Sequence, residues 1–137
     1  MATAAGGCMC GKVRYECTAD PVFMANCHCR DCQRATGAAY FATLAVPRSG
    51  VKIIGEVKYY ESAGDSGQPL KRGFCPSCGS RLFALPSVAP EIMGIPAASL
   101  DDPGIFKPSM DFYTSSAQPW DHMDPALPKF PKMPPVH

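Results

Sequence analysis

At 137 residues the chain is long enough for one domain with one modest hydrophobic core. Its formal net charge is +1, from 13 basic and 12 acidic side chains without a basic run, so composition gives no electrostatic basis for nucleic-acid binding. No apolar stretch approaches the roughly 18 residues needed to cross a bilayer, and the first residues lack the basic and apolar regions of an export signal. We therefore expect a cytoplasmic protein without a membrane segment.

Short strand-like runs, separated by Gly, Pro, Asp and Ser, follow one another along the chain. The first, residues 11–17, alternates so that Val13, Tyr15 and Cys17 share one face, and Cys17 is expected to be a small buried apolar residue. A turn or two of helix is predicted around residues 31–35. Further strands are predicted at residues 22–27, 40–46, 51–54, 56–60, 81–85, 91–95 and 111–114.

The number and distribution of prolines indicate the fold class. Eleven of the 15 prolines lie between Pro86 and Pro135, and each removes a backbone donor and fixes φ, which disfavours helices. We predict an all-β protein with small sheets and long Pro-rich loops, organised as a single domain over residues 1–137. From about residue 125 onward we expect an extended Pro-rich tail. So thin a core needs support, and structural zinc contributes about 10–16 kcal/mol of apparent binding free energy to folding.

Eight cysteines dominate the chemistry of the sequence, and seven of them fall in Cys-x-Cys or Cys-x-x-Cys units. A disulfide framework would scatter them, and neighbouring cysteines two residues apart pair poorly. In a chain without an export signal, metal binding is the better interpretation. The seven are Cys8, Cys10, Cys27, Cys29, Cys32, Cys75 and Cys78.

A zinc knuckle is indicated by FCPSCGSRL, residues 74–82. The Cys-x-x-Cys spacing lets the thiolates of Cys75 and Cys78 meet one ion. Pro76 stiffens the turn, and Gly79 permits a positive φ. One knuckle supplies two ligands, so two more must come from elsewhere.

The segment GGCMC offers the missing pair. In an extended segment residues i and i+2 point to the same side, so Cys8 and Cys10 would present two sulfurs together while Met9 faces away. With the knuckle they would complete a four-thiolate site, the closed arrangement typical of structural zinc.

A second site is predicted in ANCHCRDCQRATG, residues 25–37. Strand alternation places Cys27 and Cys29 on one side and His28 on the other, and Cys32 reaches back from Cys29 through a Cys-x-x-Cys step. We therefore expect three thiolates without His28, which would instead be partly buried and hydrogen-bonded locally. Three protein ligands form the catalytic pattern of zinc. A distant fourth ligand, for example His122, stays open at this stage.

Together these motifs resemble one family. The stretches GGCMCGKVRYE, CHCRDCQRATG, FCPSCGSRL and SSAQPWDHMDPALPKF are similar, in order and roughly in spacing, to the glutathione-dependent formaldehyde-activating family, also called Gfa-like or centromere-protein-V-like. The resemblance implies a small β-tent (Mss4-like) fold stabilised by two zinc ions per chain. It assigns a structural zinc to Cys8, Cys10, Cys75 and Cys78, and a catalytic zinc to Cys27, Cys29 and Cys32.

The family's best-known activity, formation of S-(hydroxymethyl)glutathione from glutathione and formaldehyde, makes a carbon–sulfur lyase the leading hypothesis. Zinc would activate a thiol, and Arg30 and Arg34 would bind the carboxylates of a glutathione-like substrate, unless both are solvated surface charges. A zinc-hydroxide hydrolase of imine-type bonds is the first alternative. A non-catalytic interaction module is the second, and it predicts that His28 or another residue closes the second site. We expect a small-molecule substrate and no nucleic-acid or membrane partner, and the oligomeric state stays open.

Overall fold

The computed structural model of the protein describes residues 4–134. Within that range it contains eleven strands, four single-turn 3-10 helices and one α-helix, α1 (Arg30–Thr36). The predicted all-β class is confirmed. The strands are β1 (Ala4–Gly7), β2 (Arg14–Cys17), β3 (Phe23–Cys27), β4 (Phe41–Pro47), β5 (Val51–Ile54), β6 (Lys58–Ala63), β7 (Pro69–Phe74), β8 (Arg81–Pro86), β9 (Ile92–Pro96), β10 (Met110–Phe112) and β11 (Lys129–Phe130).

The smaller sheet is antiparallel with strand order β1-β2-β5. Its central strand follows the predicted alternation, because Tyr15 and Cys17 are buried while the residues between and before them are exposed. Gly6 pairs with Tyr15 across β1 and β2, and a Cβ at position 6 would clash with the Tyr15 hydroxyl. The phenol fits only because residue 6 has no side chain, and its oxygen lies 2.6 Å from the Ser99 hydroxyl.

The larger sheet has eight strands in the order β11-β10-β3-β4-β9-β8-β7-β6. The expectation of small sheets alone is therefore wrong, because the long loops bring strands distant in sequence side by side. Strands β3, β10 and β11 run parallel, and the other neighbours are antiparallel. Parallel pairing of Phe112 with Cys27 brings the late strand β10 beside the second cysteine motif.

Two apolar clusters form the core. The larger lies between the two sheets and includes Tyr15, Leu82 and Phe83, all fully buried. The smaller is built around Cys27 and Phe112 and contains the second cysteine motif. Cys17 is buried as expected, with 1% exposure, and its thiol donates to the Ala19 carbonyl oxygen at 3.3 Å.

Strands β1, β7 and β11 were not predicted from the sequence. Strand β7 reads PLKRGF, with a proline, a glycine and two charges, so it carries little strand propensity of its own. It forms because β6 and β8 pair with it on both sides. The tail predicted from about residue 125 contains the two-residue strand β11. Residues 135–137 of this tail lie outside the described residues.

No helix within residues 4–134 has the length and apolar character needed to span a membrane. The predicted helical turn after the cysteine motif is α1, which is seven residues long.

Candidate metal centres and the cavity beside them

The first cysteine cluster joins the turn between β1 and β2 to the turn between β7 and β8. The Sγ atoms of Cys8 and Cys10 are 3.6 Å apart, and those of Cys10 and Cys75 are 3.8 Å apart. With Cys78, the four sulfurs lie within 4.8 Å of one another. Zinc–sulfur bonds of about 2.3 Å place tetrahedral sulfurs about 3.8 Å apart, so this donor set fits a closed zinc site.

Two similar turns present these sulfurs. Gly11 and Gly79 have φ of 82° and 76°, and each donates its N–H back to the first cysteine of its motif, at 3.2 Å and 2.8 Å. The extended geometry expected for Cys8 and Cys10 is wrong, because β1 ends at Gly7 and a turn follows. The sulfurs converge because the turn, rather than strand alternation, directs them to one side.

Hydrogen bonds favour the thiolate form of Cys78. The Ser80 hydroxyl, the Ser80 backbone N–H and a backbone group of Cys10 lower the pKa of Cys78 to about 5. These hydrogen bonds favour cation binding at Cys78, since the metal ligand is the thiolate and not the thiol.

The second cluster is formed where β3 ends and α1 begins. Cys27 is the last residue of β3, Cys29 is the N-cap of α1 and Cys32 lies in the first turn of the helix. Their three sulfurs lie within 4.8 Å of one another. Among residues 4–134, no other His, Cys, Asp or Glu joins this group, and the exposed His122 lies outside it.

The three thiols of this cluster interact closely with one another. Hydrogen bonds from the side chains of Cys27 and Cys32 lower the pKa of Cys29 to about 2, helped by the Cys32 backbone N–H and the positive charge of Arg72. The same interactions raise the pKa of Cys27 above its usual range. Three soft sulfur donors around one point fit zinc, whose binding releases the remaining thiol protons.

His28 points away from the cluster. Its side chain is 1% exposed, and its Nε2 lies 2.9 Å from Asp111 Oδ1. Its Nδ1 lies 2.8 Å from Asp121 Oδ2, at ion-pair distance but off the axis of a hydrogen bond. The structure thus agrees with strand alternation on direction, but the expectation of partial burial and local bonding is wrong. His28 is fully buried, and its partners lie far along the chain.

Gln33 secures the backbone around this histidine. Its Nε2 donates to the His28 carbonyl oxygen at 2.8 Å and to the Ser116 carbonyl oxygen at 3.0 Å. Its Oε1 accepts from Arg30 and from Gln118. The loop bearing Cys27 and Cys29 is therefore connected to the segment that follows β10.

A cavity of about 490 Å³ opens beside the second cluster, and all three of its cysteines line the wall. Arg30, Arg72 and Lys132 contribute positive charge to the lining, and Asp31 and Asp65 contribute negative charge. Of the two arginines predicted to bind substrate, Arg30 lines this cavity. Arg34 is exposed on α1 and does not line it.

Sequence reasoning missed Arg72, Asp111 and Asp121. The partners of His28 are 83 and 93 positions downstream, so no local spacing reveals them. Arg72 lies on β7, a strand that the sequence did not predict. It stands three positions before Cys75, so a search for charged residues around the Cys-x-x-Cys motif can find it.

Comparison with known proteins decides the family. The model of the glutathione-dependent formaldehyde-activating enzyme family matches residues 3–116, which include all seven clustered cysteines. The chain belongs to this family. The match ends before Asp121 and Lys129, so those two residues lie beyond the part that the family model describes.

A solved structure supports the same fold for this family member. The chain is similar to the crystal structure of a Rhodobacter sphaeroides protein, with a TM-score of 0.57 and 24% sequence identity. The similarity covers 71% of this chain and 87% of that one. At this identity the likeness shows the fold alone, and it agrees with the small β fold that the family resemblance implied.

Proposed function

We propose that this protein is a zinc-dependent carbon–sulfur lyase that adds a thiol, glutathione or a similar molecule, to a small aldehyde. In that reaction a bond forms between the thiol sulfur and the carbonyl carbon, and the thiol proton ends on the carbonyl oxygen. The observation that carries the proposal is the three-cysteine cluster in the wall of a cavity of about 490 Å³, in a chain of this family.

Cys27, Cys29 and Cys32 would hold the catalytic ion, and Cys8, Cys10, Cys75 and Cys78 the structural one. Zinc in a three-ligand site supplies Lewis-acid chemistry that lowers the pKa of a bound thiol. The remaining tasks belong to the protein: Gln33 fixes the loop that carries two of the ligands, and the cavity walls orient the substrate.

Arg30 is the proposed carboxylate-binding residue. Its place in the cavity lining, one residue after Cys29, supports this role, because guanidinium matches carboxylate in geometry and charge. Arg34, on the exposed side of α1, is better interpreted as a solvated surface charge. We further propose that residues 1–137 act as one domain in the cytoplasm, with both metal sites in the same unit.

The interaction-module alternative required that His28 or another residue close the second cluster. His28 is instead engaged by Asp111 and Asp121, and no fourth ligand from residues 4–134 joins the cysteines. This arrangement favours an enzyme over a closed structural module.

The direct test is exchange spectroscopy by NMR on equilibrating formaldehyde and glutathione, with and without protein. We expect the wild type to accelerate the exchange and Cys29→Ser to return it to the uncatalysed rate. Unaltered exchange with fully zinc-loaded wild type would refute thiol addition and favour the imine-hydrolase alternative.

The two arginines provide an internal control for substrate binding. Arg30→Met should raise the KM for glutathione about tenfold and leave that for 2-mercaptoethanol, which lacks carboxylates, unchanged. Arg34→Met removes the same charge from the same helix and should change neither. Equal effects of both variants would contradict the assignment of Arg30.

A further inference from the structure

Two arginines lie on the neighbouring strands β7 and β8, the buried Arg72 and the half-buried Arg81. Arg72 lines the same cavity wall as Cys27, Cys29 and Cys32, and its side chain is only 10% exposed. Its Nη1 donates to the Ser62 hydroxyl at 2.9 Å, while its buried Nε has no hydrogen-bond partner in the described structure. A buried guanidinium with a spare donor is costly unless negative charge lies close by.

Arg81, on β8, is the second of these two arginines. Its guanidinium lies 4.6 Å from the ring centroid of Phe41, and Phe41 pairs directly with Cys27 across β3 and β4. Its Nε donates to the Leu82 carbonyl oxygen at 3.1 Å, and its buried Nη1 has no partner among the described residues. Burial lowers the pKa of Arg81 to about 10, while the charges of Cys32 and Cys29 act in the opposite direction.

Carboxylates do not account for these two charges. Within residues 4–134, Asp31 Oδ2 is the one carboxylate oxygen within ion-pair distance of either guanidinium, 4.0 Å from Arg72. Its side chain is 59% exposed, so water screens that pair strongly. Arg72 instead shares the cavity wall with Cys27, Cys29 and Cys32, and Arg81 packs on Phe41, the cross-strand partner of Cys27.

We propose that Arg72, assisted by Arg81, selects an anionic ligand for the fourth position of a metal held by Cys27, Cys29 and Cys32. Three thiolates leave a dication with one negative charge in excess, and an incoming thiolate adds a second. The two guanidiniums balance that pair of charges inside a region of low dielectric. The proposal deepens the proposed function and rests on it only in that these three cysteines hold the metal.

The test uses cobalt-substituted protein, because the visible spectrum of cobalt(II) reports each ligand that reaches the metal. Azide serves as the anionic probe and imidazole as the neutral one. Arg72→Met should raise the dissociation constant of azide about tenfold and change that of imidazole less than about twofold. A merely structural loss would weaken both probes alike and would overturn the proposal.

Three further variants complete the experiment. Lys71→Met removes the same charge from the neighbouring, exposed position of β7 and should leave azide binding unchanged. Arg72→Lys should restore most of the azide affinity. Arg81→Met should raise the dissociation constant of azide about threefold. This variant provides the test if Arg72→Met does not fold. Unaltered azide binding in Arg81→Met together with a failed rescue by Arg72→Lys would overturn the proposal.

A parallel titration with 2-mercaptoethanol separates this inference from the proposed function. A wild type that binds azide in an Arg72-dependent way but never binds the thiol refutes thiol activation and leaves the role of Arg72 standing. If the wild type binds the thiol, and if wild type and Arg72→Met bind azide equally tightly, the role of Arg72 is refuted and thiol activation stands.

Discussion

At the scale of single residues, His28 is the most constrained side chain near the second cluster. Asp111 receives hydrogen bonds from His28, from Asn26 at 3.1 Å and from Lys129 at 3.2 Å. Burial alone would raise the pKa of Asp111, but these three donors together hold it below the usual range. With Asp121 Oδ2 2.8 Å from the other ring nitrogen, the imidazole lies between two buried carboxylates.

Removing this imidazole should destabilise the protein strongly. We expect His28→Ala to lower the free energy of unfolding by about 3 kcal/mol, because the buried Asp111 would lose one of its hydrogen-bond donors and a cavity would form beside it. The exposed His122 is the matched control, and His122→Ala should change stability by less than about 0.5 kcal/mol. Urea unfolding at neutral pH measures the stability of both variants. Equal effects would show that the buried contacts of His28 with the two carboxylates contribute no measurable stability.

The raised pKa of Tyr15 predicts how the free energy of unfolding changes at alkaline pH. Burial raises the pKa of Tyr15 to about 12, although the hydrogen bond with Ser99 opposes this. A group whose pKa is raised by folding stabilises the protein below its unfolded pKa, near 10, and loses that contribution as pH rises toward 12. Wild-type stability should therefore fall between pH 10 and 12 by up to about 3 kcal/mol more than that of Tyr15→Phe. Parallel pH profiles in urea titrations would contradict this.

At the scale of elements, α1 is short and depends on its ends. Cys29 caps its N-terminus by accepting the Cys32 N–H at 3.2 Å, and Gly37 closes its C-terminus with φ of 72° and an N–H donated to the Gln33 carbonyl oxygen. The helix carries Cys32, so its ends also position one sulfur of the second cluster. A seven-residue helix has little intrinsic stability in water, which makes these caps important.

Gly37→Ala should lower the free energy of unfolding by about 1 kcal/mol, since alanine is strained at a positive φ. Gly64→Ala is the control, because Gly64 has no positive φ and its added Cβ would meet the Gln68 carbonyl oxygen at an ordinary 3.4 Å. That control should be neutral or slightly stabilising. If both variants lose equal stability in chemical denaturation, the cap at Gly37 is not what ends the helix.

The sequence allowed the cysteine motifs and most strands to be predicted, because metal spacing and alternation are local patterns. It did not reveal β7, whose residues become a strand only between β6 and β8, and so it did not reveal Arg72. The partners of His28 were equally hidden, since they arrive through the parallel pairing of β10 and the loop before β11. The grouping of Cys8 with Cys10 was reached from an extended geometry, whereas the structure uses a turn.

At the scale of the whole molecule, the two clusters occupy different places in the architecture. The first connects a turn of the three-stranded sheet to a turn of the eight-stranded sheet. The second lies at the end of β3 within one sheet and its adjoining helix. Metal at the first cluster would therefore connect the two sheets, and metal at the second would hold only one loop.

Cys78→Ser and Cys29→Ser should consequently behave differently. A structural zinc contributes about 10–16 kcal/mol of apparent binding free energy, comparable to the total stability of a domain, so Cys78→Ser should unfold the chain. Cys29→Ser should keep the fold while losing about one zinc of two. Circular dichroism and metal analysis on both variants test this, and identical behaviour would refute the division into structural and catalytic sites.

The central claim, a second zinc site with three thiolates that accepts an external thiol, is tested most directly by X-ray absorption at the zinc edge. Protein containing both ions should show about 3.5 sulfurs per zinc on average, since seven cysteines serve two ions, rising to about 4 when glutathione is added. An average of about 4 before any thiol is added, or one that stays near 3.5 at saturating glutathione, would contradict the account.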